Sequence, residues 1–353
     1  MKYDMVKILQ KAELLTASDL HITVGRPPIF RIRGELVNAG EDALTPEDTQ
    51  EICNSFMDEA KKELFMKEGQ IDFSWSMPGV NRYRINVYRQ RSSCAAALRR
   101  ISSEIPTMEE LNLPNILKDL SMKPQGLILI TGAAGSGKST TLAAILGYIN
   151  KNRNCHVITI EDPIEYLHRH DKSVVTQREI GSDTASVIKA LRAVLREDPD
   201  VIQVGELYEL ESISTAIKAA ETGHLVLSSM YTLNAAQTID RVIDSYPPHL
   251  QHQIRSQLAN VLQAIICQQL LPSADGTRLV PALEIMLNND IAKKLIREGE
   301  HEHLDQVLND NIRNGMMPMD YALAELVKSG EITQDIAYQN CTDVDRFEKY
   351  ITI

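Results

Sequence analysis

The residues best suited to chemistry are eight in a row: Gly132, Ala133, Ala134, Gly135, Ser136, Gly137, Lys138 and Ser139, reading G-x-x-x-x-G-K-S. Glycines let backbone N–H groups close around phosphate oxygens, and a helix starting here adds partial positive charge. Lys138 is placed to reach β- and γ-phosphates, and the Ser139 hydroxyl to ligate Mg2+, with Thr140 next in the same turn. The apolar run GLILIT before the motif and a helical pattern over 138–149 after it supply the strand and helix that it needs. The chain is expected to bind a nucleoside triphosphate.

Acidic residues follow two later strand-like runs. Val201–Val204 leads into Gly205-Glu206, and a carboxylate at the carboxyl end of such a strand can polarise an attacking water or hold Mg2+ through water. The alternative is a solvated strand end, since an ordinary Walker B strand carries Asp where Gly205 stands. VITI leads into Glu161-Asp162-Pro163-Ile164-Glu165, either an acidic turn or a source of metal ligation and a general base.

Between Asp72 and Glu104 there is no acidic residue and no lysine, yet there are six arginines: Arg82, Arg84, Arg89, Arg91, Arg99 and Arg100. Arg82 and Arg84 share a face if the segment is a strand. They suit an arginine finger on a neighbouring subunit's nucleotide, a solvated basic face, or a docking face for an acidic surface. His224 could sense a γ-phosphate or satisfy a turn, and His249 and His252 read as surface groups. Neither H-E-x-x-H nor C-x-x-C occurs, which disfavours a metal cage made of protein alone.

The elements that must hold these residues alternate in style. From Gly126 onward, apolar strands (127–131, 157–160, 201–204, 225–228) alternate with helical stretches (138–149, 184–196, 210–221, 235–244), the pattern of βαβ units around a mostly parallel sheet. Helix 250–263 and strands near 264–271 and 278–287 come next, and the last ~65 residues are mainly helical. Before residue 105 the pattern is α+β: a helix over 1–15, strands at 20–22, 29–33 and 82–90, and a helix over 47–67. A Glu109–Leu120 helix forms part of the link.

Composition agrees. The 353 residues are 43% hydrophobic and 24% charged, enough for about two packed domains and too apolar for disorder. The net charge of −11 disfavours a nucleic-acid partner. Five scattered cysteines fit a reducing compartment. With no run of 18 uncharged apolar residues and no signal peptide, the expectation is a soluble, intracellular protein without a transmembrane segment.

With these motifs in hand, the chain resembles the secretion ATPase superfamily, and within it the PilT-type, pilus-retraction branch. Ala17–His21, Gly25–Pro28 and Arg31–Gly34 look like its opening, Gly132–Ser139 its P-loop and Ile158–Tyr166 its aspartate box. Leu195–Glu206 is similar to its variant Walker B, in which Gly-Glu replaces the usual acid pair, and Ala220–Val226 to the start of its histidine box. The resemblance implies a PAS-like N-terminal α+β domain (1–105). A RecA-like P-loop ATPase domain (106–353) follows, with a helical C-terminal region from about 289. It also implies a cytoplasmic homo-hexamer peripheral to the inner face of the cytoplasmic membrane, coupling hydrolysis of ATP with Mg2+ to pilus retraction through an inner-membrane platform protein.

On that resemblance Lys138, Glu206, Glu165 and His224 are the catalytic set, and Ser139, Glu161 and Glu206 serve Mg2+. Arg82, Arg84 and Arg99 join the 132–140 loop at the nucleotide. Three departures stand out. Leu207-Tyr208-Glu209 replaces Met-Arg-Asp, Tyr231 replaces the second histidine of the histidine box, and the first half of Ile291–Glu298 is altered. They keep two alternatives open: a weakly catalytic, nucleotide-binding partner of a paralogous motor ATPase, and a pilus-assembly or secretion ATPase.

Overall fold

The structure, a computed structural model, describes residues 3–77, 80–102 and 104–352. It divides into two compact units, the first ending at Glu104 and including Pro163–Leu167, the second comprising Ile105–Asp162 and the rest from His168.

In the first unit, α1 (Met5–Leu14) starts at Asp4, whose carboxylate accepts from the Val6 and Lys7 N–H groups. Met1 and Lys2, part of the helix expected over 1–15, lie outside the described residues. The strands β1 (Asp19–Ile22), β2 (Ile29–Ile32), β3 (Glu35–Asn38), β4 (Gln70–Met77), β5 (Asn81–Gln90) and β6 (Ser93–Arg100) form one antiparallel sheet in the order β3-β2-β1-β6-β5-β4. Alternation places Tyr83, Ile85 and Val87 in a core with Leu9, Leu20, Phe30, Ile52 and Leu98, and leaves Arg82 and Arg84 on the opposite face.

The single helix expected over 47–67 is instead two, α2 (Pro46–Ser55) and α3 (Glu59–Glu68). The break falls where Phe56 and Met57 turn into the core and Asp58 caps α3 by accepting from the Lys61 N–H at 2.9 Å. The short segment Pro163–Leu167 joins this unit through a parallel bridge between Ser102 and Tyr166.

The second unit is built on β7 (Gly126–Thr131), β8 (His156–Glu161), β9 (Val174–Glu179), β10 (Val201–Glu206), β11 (Leu225–Met230), β12 (Leu262–Pro272) and β13 (Leu279–Leu287). Their order is β13-β12-β7-β11-β10-β8-β9, with only the β12–β13 pair antiparallel among the pairings described. Leu127 and Leu129 face one apolar layer, Ile128 and Ile130 the other. The first layer is covered by α6 (Val187–Val194), α7 (Leu210–Glu221), α8 (Ala235–Asp244), α9 (Pro248–Val261), α10 (Asp290–Glu298) and α11 (Leu304–Asp310).

The second layer is covered by α4 (Ile116–Ser121) and α5 (Lys138–Asn152). This is the expected α/β architecture with a parallel sheet and a helical C-terminal region, in a chain that also holds a smaller α+β unit. That region ends in α12 (Met319–Lys328), α13 (Gln334–Asn340) and α14 (Val344–Thr352) around their own apolar cluster. The helix expected over Glu109–Leu120 shrinks to α4, because Asn112 takes a left-handed φ of 52° and Pro114 follows.

Candidate active site

In parallel α/β sheets ligands bind at the carboxyl ends of the strands, where the order switches. Here β7 runs into Gly132–Gly137 and out into α5. Gly132 has φ of 144° and Gly137 of 86°. A Cβ at Gly132 would lie 2.2 Å from the Gln268 carbonyl oxygen, and one at Gly137 2.7 Å from Gln268 Nε2, so only glycine fits either place. No side chain caps α5 at Gly137, so its first turn presents a backbone end suited to an anion.

Lys138 is only 7% exposed. Its ammonium donates to the Gly132 and Ala133 carbonyls at 2.9 Å each and stands over the Tyr231 ring, 4.2 Å from the centroid. The Tyr231 hydroxyl donates to the Glu206 carboxylate. One side chain thus connects the P-loop lysine with the strand-end glutamate. Ser139 is exposed beside them at the start of α5. Behind the loop, Gln268 Nε2 donates to the Ser136 carbonyl and the Thr141 hydroxyl donates to Gln268 Oε1, both at 2.7 Å.

Glu161 ends β8, and its Oε1 accepts from Thr159 Oγ1 at 2.6 Å and from Gln177 Nε2 at 3.0 Å. Gln177 lies on β9, the edge strand, so this bond draws Glu161 away from β7. No group of three or more His, Cys, Asp or Glu able to hold a metal occurs among the described residues. Mg2+ nonetheless fits the donors at hand, since it needs few protein ligands when phosphate oxygens and water complete its shell, and the Ser139 hydroxyl is available.

His224 requires a correction. It precedes β11, whose Leu225 pairs with Gly126 while Met230 pairs with Thr131. It therefore sits at the amino end of the sheet, ~17 Å along the strands from the P-loop. Its Nδ1 lies 2.8 Å from the Ala219 carbonyl, which only accepts, so the ring donates there and closes a turn. Within this chain it does not reach the phosphate site.

The remaining candidates belong to the first unit. Arg84 and Arg99 are direct cross-strand neighbours. Arg99 pairs with Asp19 at 2.9 Å and Arg84 with Asp72 at 3.5 Å, while Arg82 Nη1 lies 3.4 Å from Ser76 Oγ. Glu165 is exposed in the Pro163–Leu167 segment.

Sequence reasoning missed two buried polar groups around the loop. Gln268 stood out only as a polar residue inside an apolar run, and Glu284 likewise in PALEIML. Glu284 accepts from the Ala235 N–H at 2.9 Å, anchoring the start of α8, and burial pushes its carboxyl up to about 7. Elsewhere in the unit, a cavity of about 480 Å3 runs along the far half of α5, lined in part by Met108, Tyr148, Lys151 and His168, and none of the candidate nucleotide residues lines it.

Comparison with known proteins agrees with this geometry. Residues 58–338 match the family described as type II/IV secretion system protein. A type IV pilus ATPase, PilU, from Pseudomonas aeruginosa is 42% identical over 320 residues, covering 91% of this chain and 84% of the relative. The type IV pilus retraction ATPase PilT of the same organism is 39% identical over 344 residues, 98% of this chain and 100% of the relative. The crystal structure of a pilus retraction motor PilT with bound ADP superposes with a TM-score of 0.90 at 44% identity, covering 98% of this chain and 99% of that one. From the P-loop at the sheet's carboxyl edge to the match along most of its length, the chain belongs to the type II/IV secretion system protein family.

Proposed function

We propose that this chain is an ATP-hydrolysing motor that retracts type IV pili. The observation that carries the reading is that the P-loop with Lys138 and the strand-end Glu206 meet at the carboxyl edge of the sheet, on a fold shared with a retraction motor that holds ADP. In this reading the 132–140 loop grips the phosphates and Lys138 leaves its carbonyl partners for phosphate oxygens. Glu206 accepts the proton of the attacking water or orients it. Ser139, with Glu206 or Glu161 through water, would hold Mg2+, which neutralises charge developing on the phosphates.

Glu165 and the arginines Arg82, Arg84 and Arg99 are proposed to complete the site from the first unit. Residues 1–105 then act as a PAS-like domain and 106–353 as a RecA-like motor domain, in a ring of six. Among the described residues no helix is long and apolar enough to cross a membrane. A cytoplasmic motor that pulls on an inner-membrane platform protein fits that fact.

The Tyr231 contacts favour a second reading, a nucleotide-binding partner of low turnover that works beside a paralogous motor, because both reactive side chains are engaged by one tyrosine. Deletion of the gene tests the motor reading. Excess surface pili with lost twitching, restored by wild type and not by Lys138→Ala, is the expected result. Loss of all pili would assign the chain to assembly.

A further inference from the structure

We propose that Gln268 is a positioning residue for nucleotide, a clamp that fixes the phosphate loop from beneath. The proposal rests on reading Gly132–Ser139 as the nucleotide site. Gln268 is 3% exposed and follows four buried apolar residues, Ala264 to Cys267, in β12. A carboxamide in such a place is costly unless both of its ends are bonded, and here both bonds go to the loop and its helix. The Ser136 carbonyl can only accept, so the amide nitrogen must face it, and the oxygen is then left for the Thr141 hydroxyl.

Ser136 lies two residues before Lys138 and Thr141 three after it. One side chain therefore brackets the segment that carries the phosphate-binding lysine and the hydroxyl next to it. Strand register puts the clamp at the right height. Cys267 pairs with Thr131, so Gln268 stands level with the first residue of the loop. The loop is seated so closely that Cβ atoms at Gly132 and Gly137 would both collide with Gln268. Gln268 touches neither the phosphates' positions nor Glu206 in these contacts; it acts through Ser136 and Thr141.

A role in positioning, rather than in mere stability, predicts a split in the kinetics. A purely structural substitution lowers the folded fraction, and so the apparent kcat, while folded molecules bind nucleotide as before. A loosened clamp weakens nucleotide affinity in fully folded protein and spares kcat at saturation. The test is equilibrium binding of a fluorescent ADP with Mg2+ to the full chain, in wild type, Gln268→Met, Gln268→Glu, Thr141→Val and the Gln268→Met/Thr141→Val pair. Lys138→Ala serves as the control for specific binding.

The expected result is a Kd raised about tenfold in Gln268→Met and further in Gln268→Glu, whose carboxylate faces the Ser136 carbonyl. Thr141→Val should have a smaller effect that is not additive in the pair, with kcat at saturating ATP within about threefold of wild type. A folded Gln268→Met with wild-type Kd overturns the clamp. Should that variant not fold, wild-type affinity in Thr141→Val overturns it instead. Wild-type protein that binds the probe no better than Lys138→Ala would overturn the nucleotide-site reading itself.

Discussion

The Lys138 ammonium rests on the face of the Tyr231 ring, 4.2 Å from its centroid. The hydroxyl of that tyrosine is bonded to Glu206, so it engages the carboxylate proposed to meet the attacking water. A hydrogen bond to a charged acceptor is among the stronger ones, and it occupies a carboxylate oxygen that the attacking water would otherwise meet. Removing it should help catalysis. Tyr231→Phe keeps the ring beneath Lys138 and is expected to raise kcat about threefold or more with KM unchanged. A fall in kcat would mean that the hydroxyl orients Glu206 for the reaction.

The arginine pair gives a second expectation. Arg99 has a side chain 75% exposed and pairs with Asp19. Asp19 keeps the Ser18 hydroxyl and the Arg31 guanidinium as partners when Arg99 leaves, so the arginine can exchange its carboxylate for a phosphate at modest cost. Arg99→Ala should leave the melting temperature within a few degrees of wild type and lower kcat at least about tenfold. Undiminished kcat would mark this face as a solvated or docking surface instead.

Acid sensitivity follows from His168. Burial pushes its imidazole from 6.5 down to about 4, so the folded chain keeps it neutral while the unfolded chain takes up a proton. Between these values the unfolded state binds more protons, and stability rises with pH. Acidification from pH 7.5 to 5 should therefore cost about 2 kcal/mol through this group. Glu284 works in the opposite sense: its carboxyl, raised to about 7, holds a proton in the fold at pH values where the unfolded chain has lost it, so its contribution declines as pH rises from about 4.5 to 7. His168→Gln removes the first effect and leaves the second. In urea titrations at both pH values the variant should gain about 2 kcal/mol relative to wild type at the lower one. Equal pH dependence would contradict the assignment.

The C-terminal helices hang on Asp320, which is 1% exposed. Its carboxylate accepts from the Thr342 N–H and hydroxyl at 2.7 Å each and from the Asp343 N–H at 3.2 Å, tying α12 to the start of α14. Asp320→Ala leaves three donors without that acceptor and should destabilise the region by about 3 kcal/mol. Limited proteolysis is expected to release the segment after 341 well before wild type is cut. Unchanged cleavage would show that apolar packing around Phe347 suffices.

Local chemistry was readable in the chain, while long-range placement was not. Gly132–Ser139 declared itself because glycine spacing and a flanking strand and helix are local facts, and the buried runs of β7, β8, β10 and β11 were long enough to be read as strands. β6 escapes a local reading because its Cys94-Ala95-Ala96-Ala97 run carries little strand preference and one of its two partners, β1, lies far off in sequence. His224 lies at the far end of β11 because register, not nearness to a motif, sets which end of a parallel strand a residue occupies. Tyr231 is legible in the sequence as a departure, but its hold on both Lys138 and Glu206 depends on β7, β10 and β11 ending together. The Gln268 clamp depends likewise on β12 lying beside β7.

The central claim is that the Gly132–Ser139 loop grips ATP for cleavage. Steady-state phosphate release, measured with Mg-ATP on purified wild type and on Lys138→Ala prepared identically, tests it most directly. Release by wild type that falls at least about a hundredfold in the variant is the predicted result. Equal release by both proteins would contradict it.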